Sequence, residues 1–166
     1  QKTFFERFQS TFAYTYSQAR DIATITSSTA GSNFRFQRDL SGALEDRSRS
    51  RSKNDQPHKI VATGSWHFKS LTDLSFIYTG NSGAPYDYVY GSSGGSSGDM
   101  NGDGYNTVDL FYVPKNALDP NEIQFRNLGT RSAATQAQDL ENFIAGSKCL
   151  SSQRGQIMTR NSCRNP

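Results

Sequence analysis

The sequence predicts an all-β fold of long antiparallel strands with long loops and one short loop helix, and three observations carry that prediction. Aromatic residues alternate with small polar ones in three separate runs, aliphatic side chains are few, and the connections between the runs differ greatly in length. Only 34% of the 166 residues are hydrophobic, yet they include eight Tyr and eleven Phe among many Ser, Thr, Gly and Asn. That palette suits strands and turns and argues against helix packing. The formal charge of +3 is small and scattered. Phosphate-backbone binding needs a concentrated basic stripe, so nucleic acid is excluded as the expected partner.

The first strand is expected over about 4–20. From Phe8 its even positions read Phe8, Ser10, Phe12, Tyr14, Tyr16, and its odd ones Gln9, Thr11, Ala13, Thr15, Ser17. Successive side chains of a strand point to opposite faces, so this run has one apolar and one polar side. The second strand, 58–68, sets Ile60, Ala62, Gly64, Trp66 and Phe68 against Lys59, Val61, Thr63, Ser65 and His67. The third, 73–90, puts Leu74, Phe76, Tyr78, Gly80, Tyr86, Tyr88 and Tyr90 on the even face, with Ile77 and Val89 as mild exceptions on the odd one.

Residues Lys69 to Thr72 read as a tight hairpin turn. The stretches of about 21–57 and 91–166 are long and polar instead. Short turns on one side and long loops on the other are the asymmetry of an outer-membrane β-barrel, whose strands alternate apolar outward and polar inward. The even faces are then expected to meet lipid and the odd faces to line a lumen. An unbroken third strand would reach roughly 56 Å at about 3.3 Å per residue, whereas a tilted membrane strand needs only about 9–11 residues. Tyr86, Tyr88 and Tyr90 are therefore expected at or beyond the interface.

Inside the loops, Arg47-Ser48-Arg49-Ser50-Arg51-Ser52-Lys53 is the one charge run, and with Glu45, Asp46 and Asp55 beside it the expectation is a flexible, solvated loop tip. Gly91 to Gly98 is a Gly/Ser tract and reads as a mobile loop. Helical spacing of Ala137, Leu140, Phe143 and Ile144 predicts a short helix between about Ser132 and Ala145, packed on the barrel rim, with Gly146 as its stop. Cys149 and Cys163 fit neither a CxxC motif nor a zinc ribbon. A disulfide between them would stabilise the loop by roughly 3 kcal/mol and imply an oxidising compartment, with two free thiols as the alternative. The chain opens at Gln1 without a signal peptide and reads as the middle of something longer.

Asp99-Met100-Asn101-Gly102-Asp103-Gly104-Tyr105 places oxygen side chains at positions 1, 3 and 5, glycine at 6 and the Tyr105 carbonyl at 7, a set that hard calcium prefers. The bidentate acid of an EF-hand would stand at Leu110, and Asp109 comes one residue early. The candidate metal ligands are thus Asp99, Asn101, Asp103, Tyr105 and Asp109, in a calcium loop of a shorter kind; a metal-free Gly/Asp/Asn turn is the plain alternative. No catalytic residue is expected, and the chain is not expected to be an enzyme. His58 and His67 lack a nucleophile or a ligand partner at useful spacing.

The runs Pro57-His58-Lys59-Ile60-Val61-Ala62-Thr63-Gly64-Ser65-Trp66, Leu74 to Tyr86 (LSFIYTGNSGAPY) and Gly98 to Pro114 (GDMNGDGYNTVDLFYVP), followed by Arg154 to Arg164, together resemble the C-terminal barrel of Oar-like TonB-dependent receptors. The resemblance runs from about Pro57 onward; the strand at Phe8 to Arg20 fits more loosely. It implies uptake of a nutrient or other ligand across the bacterial cell outer membrane, driven through TonB by way of a plug domain that this chain lacks. The implied partners are outer-membrane lipid, the remainder of the barrel and plug, TonB through that plug, and an unidentified ligand. Such barrels have about 22 strands, and three cannot close; open edges in lipid would leave backbone groups unpaired at several kcal/mol each. The rival expectation is a secreted, calcium-stabilised β module that binds glycan or protein through exposed tyrosines, in which the even faces would meet in a dry core.

Overall fold

A computed structural model of the chain describes residues 2–4, 7–23, 25, 27–35, 48–69, 72–91, 98–102, 104–105 and 108–165. Ten strands and three helices follow one another along them. In chain order they are β1 (Lys2–Phe4), β2 (Phe8–Tyr16), β3 (Arg20–Asp21), α1 (Ala30–Arg35), β4 (Ser50–Arg51), β5 (His58–His67), β6 (Asp73–Asn81), β7 (Pro85–Tyr86), β8 (Tyr112–Val113), α2 (Ala133–Gly146), α3 (Lys148–Ser151), β9 (Gln156–Ile157) and β10 (Cys163–Arg164). The chain is mostly strand with few helices, as an all-β fold requires; among the described residues the strands form open sheets and no closed barrel. They divide into two compact units, residues 1–19, 54–84 and 165–166 in one and 20–53 and 85–164 in the other.

The first unit is one antiparallel sheet in the order β1-β2-β5-β6. Its long strands have 9, 10 and 9 residues. Register aligns the even rows across all three: Phe8 opposes Trp66 and Trp66 opposes Leu74, Ser10 opposes Gly64 and Gly64 opposes Phe76, and Phe12 opposes Ala62, which opposes Tyr78. Because the side-chain period of a strand is two, this alignment gathers the aromatics of three strands on one face. Short connections, 5–7 and 68–72, lie at the Phe8 and Trp66 end; the long excursions leave from the Tyr16, His58 and Asn81 end. Phe68 N–H closes the 68–72 connection on the Thr72 carbonyl at 2.8 Å. Part of the turn expected at Lys69 to Thr72, residues 70–71, lies outside the described residues.

Two strands are shorter than their patterns suggested. The run expected to continue to Tyr90 ends at Asn81, and Pro85–Tyr86 belongs to a different ladder, with Cys163–Arg164. Pro85 has no N–H to extend β6, Ser82 N–H caps the sheet on the His58 carbonyl at 2.9 Å, and a Cβ at Gly83 would overlap the Asn165 backbone. The strand expected over 4–20 is β2 with a separate three-residue β1 turned back beside it.

The second unit holds the core. Every buried hydrophobic side chain among the described residues belongs to it: Val108, Leu110, Val113, Ala117, Ile144, Leu150, Met158 and Cys163. Helix α2 starts where Ser132 accepts the Thr135 N–H and carries Ile144 into that cluster. The stretch expected as extracellular loop from residue 91 onward thus includes a folded body with its own interior. Tyr86, Tyr88 and Tyr90, expected at or beyond the interface as the end of the third strand, are half-buried in this unit, with Tyr88 edge-on to Phe143 at 5.5 Å and Tyr90 to Phe111 at 5.4 Å. Burial raises the hydroxyl pKa of Tyr88 and of Tyr90.

Candidate functional site

The unpartnered feature of the first unit is its even face. Phe12 is 71% exposed at the middle of the sheet, and Tyr14, Tyr16, Trp66, Leu74, Phe76 and Tyr78 are all more than half exposed beside it. Water is a poor neighbour for so large a contiguous apolar area. The face is graded along the strands. At the end with short connections, Trp66 stacks on Phe68 at 5.6 Å and meets Phe8 edge-on at 6.0 Å. At the opposite end the aromatics carry polar handles: Tyr14 hydroxyl bonds His58 Nδ1 at 2.8 Å, Tyr16 hydroxyl accepts Gln18 Nε2 at 2.7 Å, and Tyr78 leans its hydroxyl over Gly80. Between the two rims lie Phe12, Ala62, Gly64 and Phe76, with the Phe76 ring filling the space over Gly64.

The odd face is lined by Gln9, Thr11, Thr15, Lys59, Thr63, Ser65, Ser75, Thr79 and Asn81. Ala13, Val61 and Ile77 are its apolar members, Ile77 76% exposed. His67 Nδ1 lies 2.7 Å from Asp73 Oδ1, its register partner on that face. Both histidines therefore spend a ring nitrogen on a neighbour, one a tyrosine and one a carboxylate.

Of the predicted calcium ligands, Asp99, Asn101 and Asp109 come together. Asp99 accepts the N–H of Gly102 at 2.7 Å and of Gly104 at 2.9 Å, and both glycines hold positive φ, which side-chain-bearing residues rarely adopt. Asp109, buried, accepts Met100 N–H at 2.5 Å and Asn101 Nδ2 at 2.9 Å. Tyr105 is half-buried, and Asp103 lies outside the described residues. Among the described residues no group of three or more His, Cys, Asp or Glu stands close enough to hold a metal ion.

Cys149 and Cys163 are joined in a disulfide, Cα atoms 5.4 Å apart, between α3 and β10. The charge run behaves differently from the solvated tip its composition suggested. Arg47, with Glu45 and Asp46, lies outside the described residues, but Ser50–Arg51 is a strand paired with Arg20–Asp21, and Ser50 and Ser52 are buried while Arg49, Arg51 and Lys53 are exposed. The Gly91 to Gly98 tract is outside the described residues over 92–97.

Three charged anchors had no local signature. Arg160, buried, donates to Ser50 Oγ at 2.6 Å and to Asp21 Oδ1 at 2.7 Å, tying the base of the first long loop to the C-terminal segment. Glu141 accepts Arg154 at 2.5 Å and Ala117 N–H at 3.0 Å. Glu122 accepts Lys115 N–H, Asn116 N–H and the Tyr112 hydroxyl. Those bonds, from Arg154 first and from the Lys115 N–H first, hold the Glu141 and Glu122 carboxyls below the usual carboxylate range. An open hollow of about 300 Å³ lies between Ala117, Ile123, Phe125 and the Ala133, Ala134 and Ala137 side of α2. The chain matches no family model, no curated protein and no solved structure.

Proposed function

We propose that the chain is a segment of an outer-membrane β-barrel of the TonB-dependent receptor kind, serving uptake of a nutrient or other ligand across the bacterial outer membrane. One observation carries the reading: strands of 9, 10 and 9 residues stand in register with an unburied aromatic face, while all the buried hydrophobic side chains lie in the other unit. That strand length is what a tilted membrane strand needs. A water-soluble sheet would bury such a face; in hydrocarbon the same face costs nothing to leave outward. The two rims fit the aromatic girdles that flank the apolar band of such barrels, and tyrosine, with its apolar ring and wet hydroxyl, suits the interface.

The reading assigns Phe12, Phe76 and Ala62 to lipid and the Thr/Ser/Lys/His face to the lumen. The long loops are proposed to be where the ligand is first met. Among the described residues β6 pairs on one side only and β2 is covered only as far as Ser10. In lipid those edges need further strands, supplied by the remainder of the barrel. A plug and TonB contact would come from outside this chain. The loop of Asp99, Asn101, Asp103, Tyr105 and Asp109 is proposed to take calcium, which would supply a fixed charge to brace the turn. The rival, a secreted β module, needs the even faces to meet in a core, and the exposed rings favour the membrane. The full chain is expected to be monodisperse only with detergent or lipid; a stable monomer in plain buffer would overturn the reading.

A further inference from the structure

Asn101 is the one asparagine of the chain that glycine follows; every other precedes a residue that carries a Cβ. Attack by the next residue's backbone nitrogen on an asparagine side chain is hindered by such a Cβ, and Gly102 has none. Both residues are exposed, and a Cβ built at Gly102 would meet nothing within 4 Å, so solvent reaches the pair. The same amide also helps to close the turn. Asn101 Nδ2 donates to Asp109 Oδ1 at 2.9 Å, and Asp109, only 5% exposed, takes the Met100 N–H as well. On the other side of the peptide, the Gly102 N–H goes to Asp99 Oδ1 at 2.7 Å and the Gly104 N–H to Asp99 Oδ2 at 2.9 Å. N–H donors on two carboxylates thus draw the turn together, and one of those donors is the group that attack by Gly102 would expel.

We propose that Asn101 is a self-modification site whose deamidation opens the turn between Asp99 and Asp109. In the reaction the Gly102 nitrogen bonds to Cγ of Asn101, and Nδ2 leaves as ammonia with the former Gly102 proton. Water then opens the cyclic imide at either carbonyl, leaving aspartate or isoaspartate, so that one water enters and one ammonia departs. Either product replaces the amide by an ionised carboxylate, which donates no hydrogen bond. Asp109 loses a donor at a position largely closed to water and gains a like charge in its place. Isoaspartate also lengthens the backbone by a methylene within the span that Asp99 closes. The change runs one way and needs only water, and it is independent of the membrane reading above.

The test is incubation of the full chain, kept in chelator throughout, at mildly alkaline pH, which favours loss of the Gly102 proton, and at mildly acid pH. Peptide mass mapping, with enzymatic methylation of isoaspartyl peptides, locates the products. Aspartate and isoaspartate are expected at residue 101 ahead of every other asparagine, and sooner at alkaline pH. Asn101→Gln, whose ring closure needs an extra atom, should show neither. Protease should cut the converted chain near residue 101 several times faster than the fresh chain, and Asn101→Asp should match it without incubation; near-ultraviolet circular dichroism reports whether each variant folds. Conversion first at another asparagine, or none at residue 101, overturns the site. A converted chain cut no faster than the fresh one overturns the opening of the turn.

Discussion

Gly64 and Phe76 oppose one another across β5 and β6, and the Phe76 ring occupies the position where a Cβ at residue 64 would stand. A ring folded over a glycine fills the gap in the pleat that the glycine leaves. Gly64→Val should therefore push the ring off and destabilise the sheet by about 1–3 kcal/mol. Phe76→Ala in the same chain should recover part of that loss. Reversible unfolding from bilayers measures both, and strictly additive losses would show that the pair does not interact.

The two faces should differ sharply in their tolerance of charge. Phe12→Arg sets a cation at the middle of the even face and is expected to cost about 2–4 kcal/mol in a bilayer. Thr63→Arg, central on the odd face, should cost little if that face lines the lumen of the proposed barrel. Equal losses at the two positions would contradict the assignment of faces.

The disulfide should matter only to the second unit. Replacing Cys149 and Cys163 by serine is expected to lower its stability by roughly 3 kcal/mol while leaving the β2, β5 and β6 sheet in place. Alkylation of both cysteines without prior reduction would contradict the bond.

Acid should loosen the segment between β8 and the Glu122 turn. The carboxyl pKa values of Glu122 and Glu141 are lowered in the fold, so the stability they contribute is fully present above the ordinary carboxylate range and is lost as pH falls through the lowered values. Proteolysis within 113–122 is the readout. It should rise at acid pH in the wild type and already be high at neutral pH in Glu122→Gln, which cannot accept the same three bonds as strongly. A wild-type profile flat with pH would count against this.

Calcium should protect the turn between Asp99 and Asp109. Chelation is expected to speed cleavage there, and Asp99→Ala should do so with or without the ion, because it also removes the acceptor of the Gly102 and Gly104 N–H groups. Cleavage unchanged by chelation would remove the metal and leave the hydrogen-bonded turn.

Period-two alternation made β5 and β6 readable, since one buried or lipid-facing side per strand writes itself into every second residue. The same pattern overran at Tyr86, Tyr88 and Tyr90, where aromatics continue the alternation but Pro85 interrupts the ladder. Pro85, with no N–H to offer, cannot extend that ladder. Helix α2 was legible from the spacing of Leu140 and Ile144, though its role in a core was not. Arg160 and Asp21 are 139 residues apart in sequence, and contacts at that separation leave no periodic trace. The core of Val113, Leu150 and Met158 is equally silent, because it is assembled from a two-residue strand, a four-residue helix and the residue just after another two-residue strand.

Trp66 is the one tryptophan of the chain and sits on the rim of the even face, 52% exposed. Its fluorescence in vesicles containing brominated lipids tests the membrane assignment most directly. Emission should move to shorter wavelength on adding lipid and be quenched most by bromines near the interface, with Phe12→Trp in a Trp66→Phe chain quenched most by bromines near the bilayer centre. Emission at the wavelength of a water-exposed indole, untouched by bromine at any depth, would contradict a lipid-facing sheet.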